Sequence, residues 1–319
     1  MKKSSEKQND FFDFAQKILK EPPVVIWGSG ATIPYGMPSM FDLNQKIGEK
    51  VKDFNPSSGN LEEELGKEQY SKILPGIRKI IWEEIYTADM NAAHKLVDDP
   101  SQFEGIKQMF EKFVEPEPKL VNIITTNYDR VLENVMSYND IAFSDGFTGR
   151  IFSSYNEKNF KSMNSVNLIK VHGSLNWTLI HDDIHYWPDI EKYDPVIIPP
   201  GKNKYREAFK SPYRELIQKS DSVIEAAKSF LIVGFGFNDE HLTPKIIKKI
   251  KAGTPLTIIT KKITDTTEEV IKKAQYYLLL NEESTGKSRV RIKEKRRDEI
   301  KKVINSEYWK LQKFMEIFL

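Results

Sequence analysis

Four short stretches of the chain set chemically able residues directly after apolar runs. Thr126-Asn127-Tyr128-Asp129 follows Val121 to Thr125, and His172-Gly173-Ser174 follows Leu168 to Val171. Gly28-Ser29-Gly30 follows Val24-Val25-Ile26-Trp27, and Gly234-Phe235-Gly236 follows Phe230 to Val233. An asparagine amide donates and accepts hydrogen bonds at once, which suits Asn127 to holding a hydroxyl or a water. A histidine, with an ordinary pKa of about 6.5, takes a proton from such a group near neutral pH, so His172 is the candidate base. Each fragment also has a structural reading. Asn127 and Asp129 can serve as a helix N-cap cluster, and a histidine before glycine can simply end a strand. Their occurrence alongside two glycine turns is what points to a site.

Gly28-x-Gly30 after a strand can bring backbone N–H groups close to a pyrophosphate. The dinucleotide fingerprint is incomplete, because its third glycine falls on Ile33. A phosphate-binding loop is incomplete as well: Gly286-Lys287-Ser288 has the right tail, but Asn281 stands where the upstream glycine belongs. His181, Asp182, Asp183 and His185 have the residue types of a metal site but fall where a hairpin turn is expected, so no metal is assigned. Lys245, Lys248, Lys249, Lys251 and the run from Lys293 to Lys302 are basic. Glu294, Asp298 and Glu299 interrupt the second run, which reads as a solvated face, not a nucleic-acid contact.

Composition removes other classes. The 319 residues carry 48 Lys+Arg against 46 Asp+Glu, a net charge of +2, and no cysteine. There is no disulfide framework, no Cys-ligated zinc and no thiol nucleophile, and a cytoplasmic location is the expectation. No run approaches the ~18 apolar residues of a membrane span. The opening MKKSSEKQNDFFDF lacks the apolar stretch of a signal peptide.

The elements that must hold these residues are short apolar strands alternating with helices. That pattern predicts an α/β fold with a Rossmann-like parallel sheet covered on both faces, with ligands beyond the carboxyl ends of the strands. Phe11, Phe12, Phe14, Ala15, Ile18 and Leu19 predict a leading helix within residues 1–22, stopped by Pro22 and Pro23. Ser39 is placed to cap a helix from about Met40. Residues 54–118 read as an inserted helical subdomain, and Asn176 to Ile180 with Ile184 to Trp187 as a hairpin around Asp182-Asp183. The catalytic domain is expected over 23–265. The remainder, 266–319, is expected as a charged helical segment packing on the core, with a helix from Thr266 to Leu280, a strand at Val290 to Ile292 and a final helix.

Taken in order, Gly28 to Pro38, Thr125 to Asp129, His172-Gly173-Ser174 and Gly234 to Asp239 resemble the sirtuin-like family. Specifically, they resemble its zinc-free bacterial branch, which degrades NAD in anti-phage defence. Ser29 and Thr32 stand in for small or hydroxyl residues of the first family motif, and Thr126 for the glutamine of the second. The resemblance implies NAD lying across the strand ends, a helix after Gly28 facing its phosphates, and Asn127 and His172 at the nicotinamide ribose. Gly28, Ser29, Gly30, Ala31, Thr32 and Pro38 would line the nucleotide side. Asp129 would orient the loop, Gly234, Phe235 and Gly236 would lie under the adenosine, and Thr260 would reach the adenine-side ribose.

The implied activity is cleavage of NAD to nicotinamide and ADP-ribose, with NAD as substrate and no zinc. The alternatives are an NAD-dependent protein deacylase and a silent sensor of NAD or ADP-ribose. Depletion of a universal cofactor demands control. The expectation is therefore a homo-oligomer, or a complex with a separately encoded HerA-type ATPase or nucleotide-binding partner, and no nucleic acid or membrane.

Overall fold

The computed structural model describes residues 11–56, 61–117, 119–149, 152–181, 183–187, 195–199 and 211–318. Its strands, in chain order, begin with β1 (Val24–Trp27), β2 (Leu120–Thr125), β3 (Phe143–Ser144), β4 (Phe147–Thr148) and β5 (Ser153–Tyr155). Next come β6 (Ser165–Lys170), β7 (Gly173–Ile180), β8 (Asp183–Tyr186) and β9 (Pro195–Ile197). The last are β10 (Phe230–Val233), β11 (Leu256–Thr260), β12 (Tyr276–Ser284), β13 (Lys287–Glu294) and β14 (Ile300–Ile304).

Nine of them form one sheet in the order β14-β13-β12-β11-β10-β1-β2-β6-β3. From β12 to β3 every pairing is parallel, and β13 and β14 close one side antiparallel. The strands are short and apolar because both faces are buried. Val25 and Trp27 of β1 face one core and Val24 and Ile26 the other. The first core takes in the helix of residues 11–18, the helices Leu74–Asp98 and Glu104–Val114, and the C-terminal turn Leu311–Met315. The second takes in Tyr213–Ala226, Leu242–Lys251 and Asp265–Ile271. The result is a three-layer α/β/α sandwich of the doubly wound kind.

Chain order reverses between β1 and β10, and such a switch point opens a crevice at the carboxyl ends of the strands. Register makes those ends level. Trp27 lies opposite both Thr125 and Val233, and Thr125 opposite Lys170. The residues that follow, Gly28, Thr126, Val171 and Gly234, therefore emerge in one row.

Ser39 caps the helix Met40–Lys50 as expected. Its hydroxyl accepts from Asp42 N at 3.2 Å, while Asp42 Oδ2 accepts from Ser39 N at 2.8 Å, a reciprocal capping box. The expected helix immediately after Gly28 is replaced by two 3-10 turns, Ser29–Ala31 and Ile33–Tyr35, ended by Gly36 at φ 103°. Pro34 sits inside the second turn, and the left-handed Gly36 prevents its extension into an α-helix.

The expected hairpin is part of a larger unit, an antiparallel sheet in the order β4-β5-β8-β7-β9. β6 passes into β7 through a sharp corner at Val171-His172-Gly173. There Gly173 takes φ +93°, and a Cβ on it would meet Val196 O at 2.3 Å.

The helical character expected for 266–319 is the main correction. The helix stops at Ile271, Tyr276–Ser284 runs as β12 beside β11, the expected strand at Val290 to Ile292 lies within β13, and the charged run after it passes through a turn into β14. Leu278 and Leu280 enter one core while Tyr277 and Leu279 enter the other. A strand buried on both faces shows a continuous apolar run, which periodicity alone does not separate from a buried helix.

Candidate active site

The level strand ends enclose a cleft of about 270 Å³. Ser29, Thr32, Met37 and Pro38 come from the loop after β1, and Thr126, Asn127, Tyr128 and Asp129 from the loop after β2. His172 comes from the corner after β6, and Gly234, Phe235, Gly236, Asn238 and Asp239 from the loop after β10. Met40, Leu43 and Ile85 add an apolar side, Ile85 projecting from the long helix Leu74–Asp98.

Asn127 is fixed from several directions. Its backbone N–H donates to Thr125 Oγ1 at 3.0 Å, and that hydroxyl donates to Trp27 O at 2.8 Å, tying the loop to the neighbouring strand. The side-chain Nδ2 donates to Gly28 O at 3.1 Å and lies 3.3 Å from Thr32 Oγ1. Thr32 Oγ1 in turn sits 3.2 Å from Asp129 Oδ2, and the other oxygen of Asp129 accepts from Val131 N at 3.3 Å, at the start of the helix Val131–Tyr138. With the amide nitrogen committed, Asn127 Oδ1 is buried with no partner among the described residues. A buried acceptor left unpaired costs about 1–3 kcal/mol, which a donor on a bound ligand would recover.

Behind this loop, Lys170 is 1% exposed and donates to Asp129 O at 2.6 Å and Glu133 Oε1 at 2.6 Å. Arg130 is gripped from the helix Leu74–Asp98. The fully buried Asp89 accepts from Arg130 N at 2.6 Å, Nε at 2.9 Å and an η nitrogen at 2.6 Å. Burial pushes the Asp129 carboxyl up to about 6. Asp89 and Glu133 push the same way, against the opposing pull of Lys170 and the Val131 N–H.

His172 is 6% and Asp239 5% exposed, and His172 Nε2 lies 3.0 Å from Asp239 Oδ2. Asp239 Oδ1 accepts from His241 N at 3.0 Å and Leu242 N at 2.8 Å, so the same carboxylate caps the helix Leu242–Lys251.

The structure gathers Ser29, Thr32, Pro38, Asn127, Asp129, His172, Gly234, Phe235 and Gly236 into this one cleft. Gly28, Gly30, Ala31 and Thr260 are absent from its lining. The N–H of Gly28 is spent on Val233 O at 2.9 Å and that of Gly30 on Gly234 O at 2.9 Å, which removes two donors from any phosphate cradle. Ala31 N donates to Gly28 O at 3.0 Å inside its own turn. Thr260 Oγ1 donates to Lys262 O at 2.9 Å; it is Thr264 whose hydroxyl reaches the glycine turn, at Gly236 O, 3.1 Å away.

Asp239 was not among the expected site residues, although it closes the Gly234 to Asp239 motif. Ile85 carries no sequence signal of its own, since only the packing of the helix Leu74–Asp98 brings it to the cleft. Among the described residues no three His, Cys, Asp or Glu side chains form a metal-binding group. His185 Nδ1 lies 3.3 Å from Ser153 O and its ring lies against Phe152, while Asp182 lies outside the described residues.

A family model described as "SIR2-like domain" matches residues 121–300. The chain belongs to the SIR2-like domain family. The matched span of this SIR2-like chain includes Asn127, His172, Gly234 and Asp239, with the Gly28 turn lying before it. Among solved structures, the chain is similar to Sir2Tm bound to a propionylated peptide, at 13% identity and a TM-score of 0.45, over 83% of this chain and 96% of that one. It is also similar to a mutant Sir2 homologue in complex with 2'-O-acetyl ADP ribose, at 17% identity and a TM-score of 0.47, over 80% and 84% of the two chains. A third is Sir2 with a p53 peptide and NAD+, at 12% identity and a TM-score of 0.45, over 82% and 95%. No curated protein matches the chain.

Proposed function

We propose that this SIR2-like chain is an NAD glycohydrolase, which cleaves NAD to nicotinamide and ADP-ribose. One observation carries the proposal: Asn127 and His172 converge on a cleft that also holds Asp129 and Asp239, with no lysine or arginine among its described lining residues. Such a wall suits positive charge. The nicotinamide ring of NAD is a cation, and rupture of its glycosidic bond moves positive charge onto the ribose as an oxocarbenium-like centre. Carboxylates placed beside that centre stabilise it most in the transition state.

In this mechanism the unpaired Asn127 Oδ1 accepts from a ribose hydroxyl or from the attacking water and holds it at the anomeric carbon. The C–N bond breaks with its electron pair going to the ring, so nicotinamide leaves neutral. Water adds to the sugar carbon, and its proton passes to His172 and then to solvent. Asp129 fixes Asn127 through Thr32.

The family resemblance extends the proposal to a regulated effector of anti-phage defence that depletes cellular NAD. Control would come through assembly, as a homo-oligomer or with a separately encoded HerA-type ATPase or nucleotide-binding sensor. The test is chromatographic identification of products from NAD, with and without an acyl-lysine peptide and the products of neighbouring genes. Nicotinamide and ADP-ribose formed without peptide are expected. Turnover that requires the acylated peptide would make the chain a deacylase, and NAD bound but intact under every condition would make it a sensor.

A further inference from the structure

We infer that Asp239 is a positioning residue for His172, selecting the ring form in which Nε2 carries the hydrogen and Nδ1 is the proton acceptor. This rests on the glycohydrolase proposal for its consequence in catalysis, but not for the state of the ring itself. Asp239 Oδ2 is 3.0 Å from His172 Nε2, and both side chains are buried. A carboxylate accepts and does not donate when ionised, so the imidazole nitrogen facing it must be the one bearing hydrogen. The remaining ring nitrogen, Nδ1, is then the base. At this ion-pair distance the Nε2–H is not aligned on Oδ2, so the hydrogen bond forms only when the ring reorients. Hydrogen bonds between catalytic groups commonly tighten in this way when substrate binds.

The carboxylate is itself immobilised. Its Oδ1 takes the N–H groups of His241 and Leu242, so Oδ2 cannot swing away from the histidine without giving up the cap. One side chain thereby links the start of the helix Leu242–Lys251 to the orientation of the imidazole. Such an arrangement holds a histidine in one tautomer and stabilises its cation once the proton has been taken.

Asp239→Asn is the discriminating variant. Its amide oxygen keeps the cap on His241 and Leu242, while its NH2 group faces Nε2 and favours the opposite tautomer. Nitrogen-15 NMR on histidine-labelled protein reads the ring directly, with His172→Ala assigning the signal by its loss. Wild type is expected to show hydrogen on Nε2, and Asp239→Asn to move it to Nδ1 with an unchanged melting temperature. NAD turnover should fall about 10²–10⁴-fold in that variant, the range for a misoriented base. A His172 signal identical in wild type and Asp239→Asn would overturn the inference, as would a wild-type ring carrying its hydrogen on Nδ1. If the tautomer shifts as expected but wild type never consumes NAD, the positioning role stands and the glycohydrolase proposal falls.

Discussion

Gly28 and Gly234 pack backbone against backbone: a Cβ on Gly28 would lie 2.5 Å from Gly234 O, and one on Gly234 would lie 2.0 Å from Ala31 N. The two glycine turns of this chain are thus each other's reason, and they lock the ends of β1 and β10 together where the chain order reverses. Gly234 also takes φ +59°, a backbone region that side chains rarely adopt.

Gly234→Ala is therefore expected to cost roughly 2–4 kcal/mol of stability through clash and strain combined. Denaturant unfolding measures it directly. A variant as stable as wild type would show that the two turns separate easily and that the glycine serves some other purpose.

Asp129 makes stability and activity respond to pH in opposite directions. Its folded pKa of about 6 lies above its ordinary 3.8, so between those values the native state holds a proton that the unfolded chain releases. The slope of stability with pH is then negative, and the contribution present below pH 4 is lost as pH rises through about 6. That loss is on the order of 2–3 kcal/mol. Asp129→Asn should flatten this part of the stability profile; Asp145, also raised to about 6 by burial, keeps its own share in both proteins.

Activity should follow the ionised carboxylate. Turnover of NAD at saturating substrate is expected to fall as pH drops below about 6, when Asp129 takes its proton and loses its charge beside the developing cation. Rates measured from about pH 5 to 8 test this, and a flat profile would remove Asp129 from the reaction.

The helix Leu74–Asp98 is coupled to the site through Asp89, which holds Arg130 at the end of the Asn127 loop by three contacts, and through Trp82, whose Nε1 donates to Leu175 O at 2.9 Å. Asp89→Ala leaves the partly buried guanidinium without its partner and should cost ~3 kcal/mol. A loss of NAD turnover at temperatures where the variant remains folded would show that this helix steers the Asn127 loop. Unaltered turnover in the folded variant would confine Asp89 to stability.

Much of this arrangement was legible in the residues themselves. The strand ends before Gly28, Thr126, Val171 and Gly234 do emerge in one row, because parallel register leaves no freedom once the strands are placed. What escaped depends on packing. β12 reads as the tail of a helix because Tyr277 to Leu280 are all buried, on alternating sides of the sheet. The bond from Thr264 Oγ1 to Gly236 O joins the turn beyond β11 to the glycine turn, a contact that no local pattern specifies. The pairing of Asp239 with His172 spans two motifs far apart in sequence, and only the fold brings them to 3.0 Å.

If Asn127 and His172 together cleave NAD, as proposed, NAD consumption by wild type beside Asn127→Ala and His172→Ala, with melting curves for all three, shows it. Each substitution is predicted to lower turnover by about 10²-fold or more, as expected for removal of a positioning group or a general base, while the protein stays folded. Turnover retained at the wild-type rate in both folded variants would show that neither residue takes part in the cleavage.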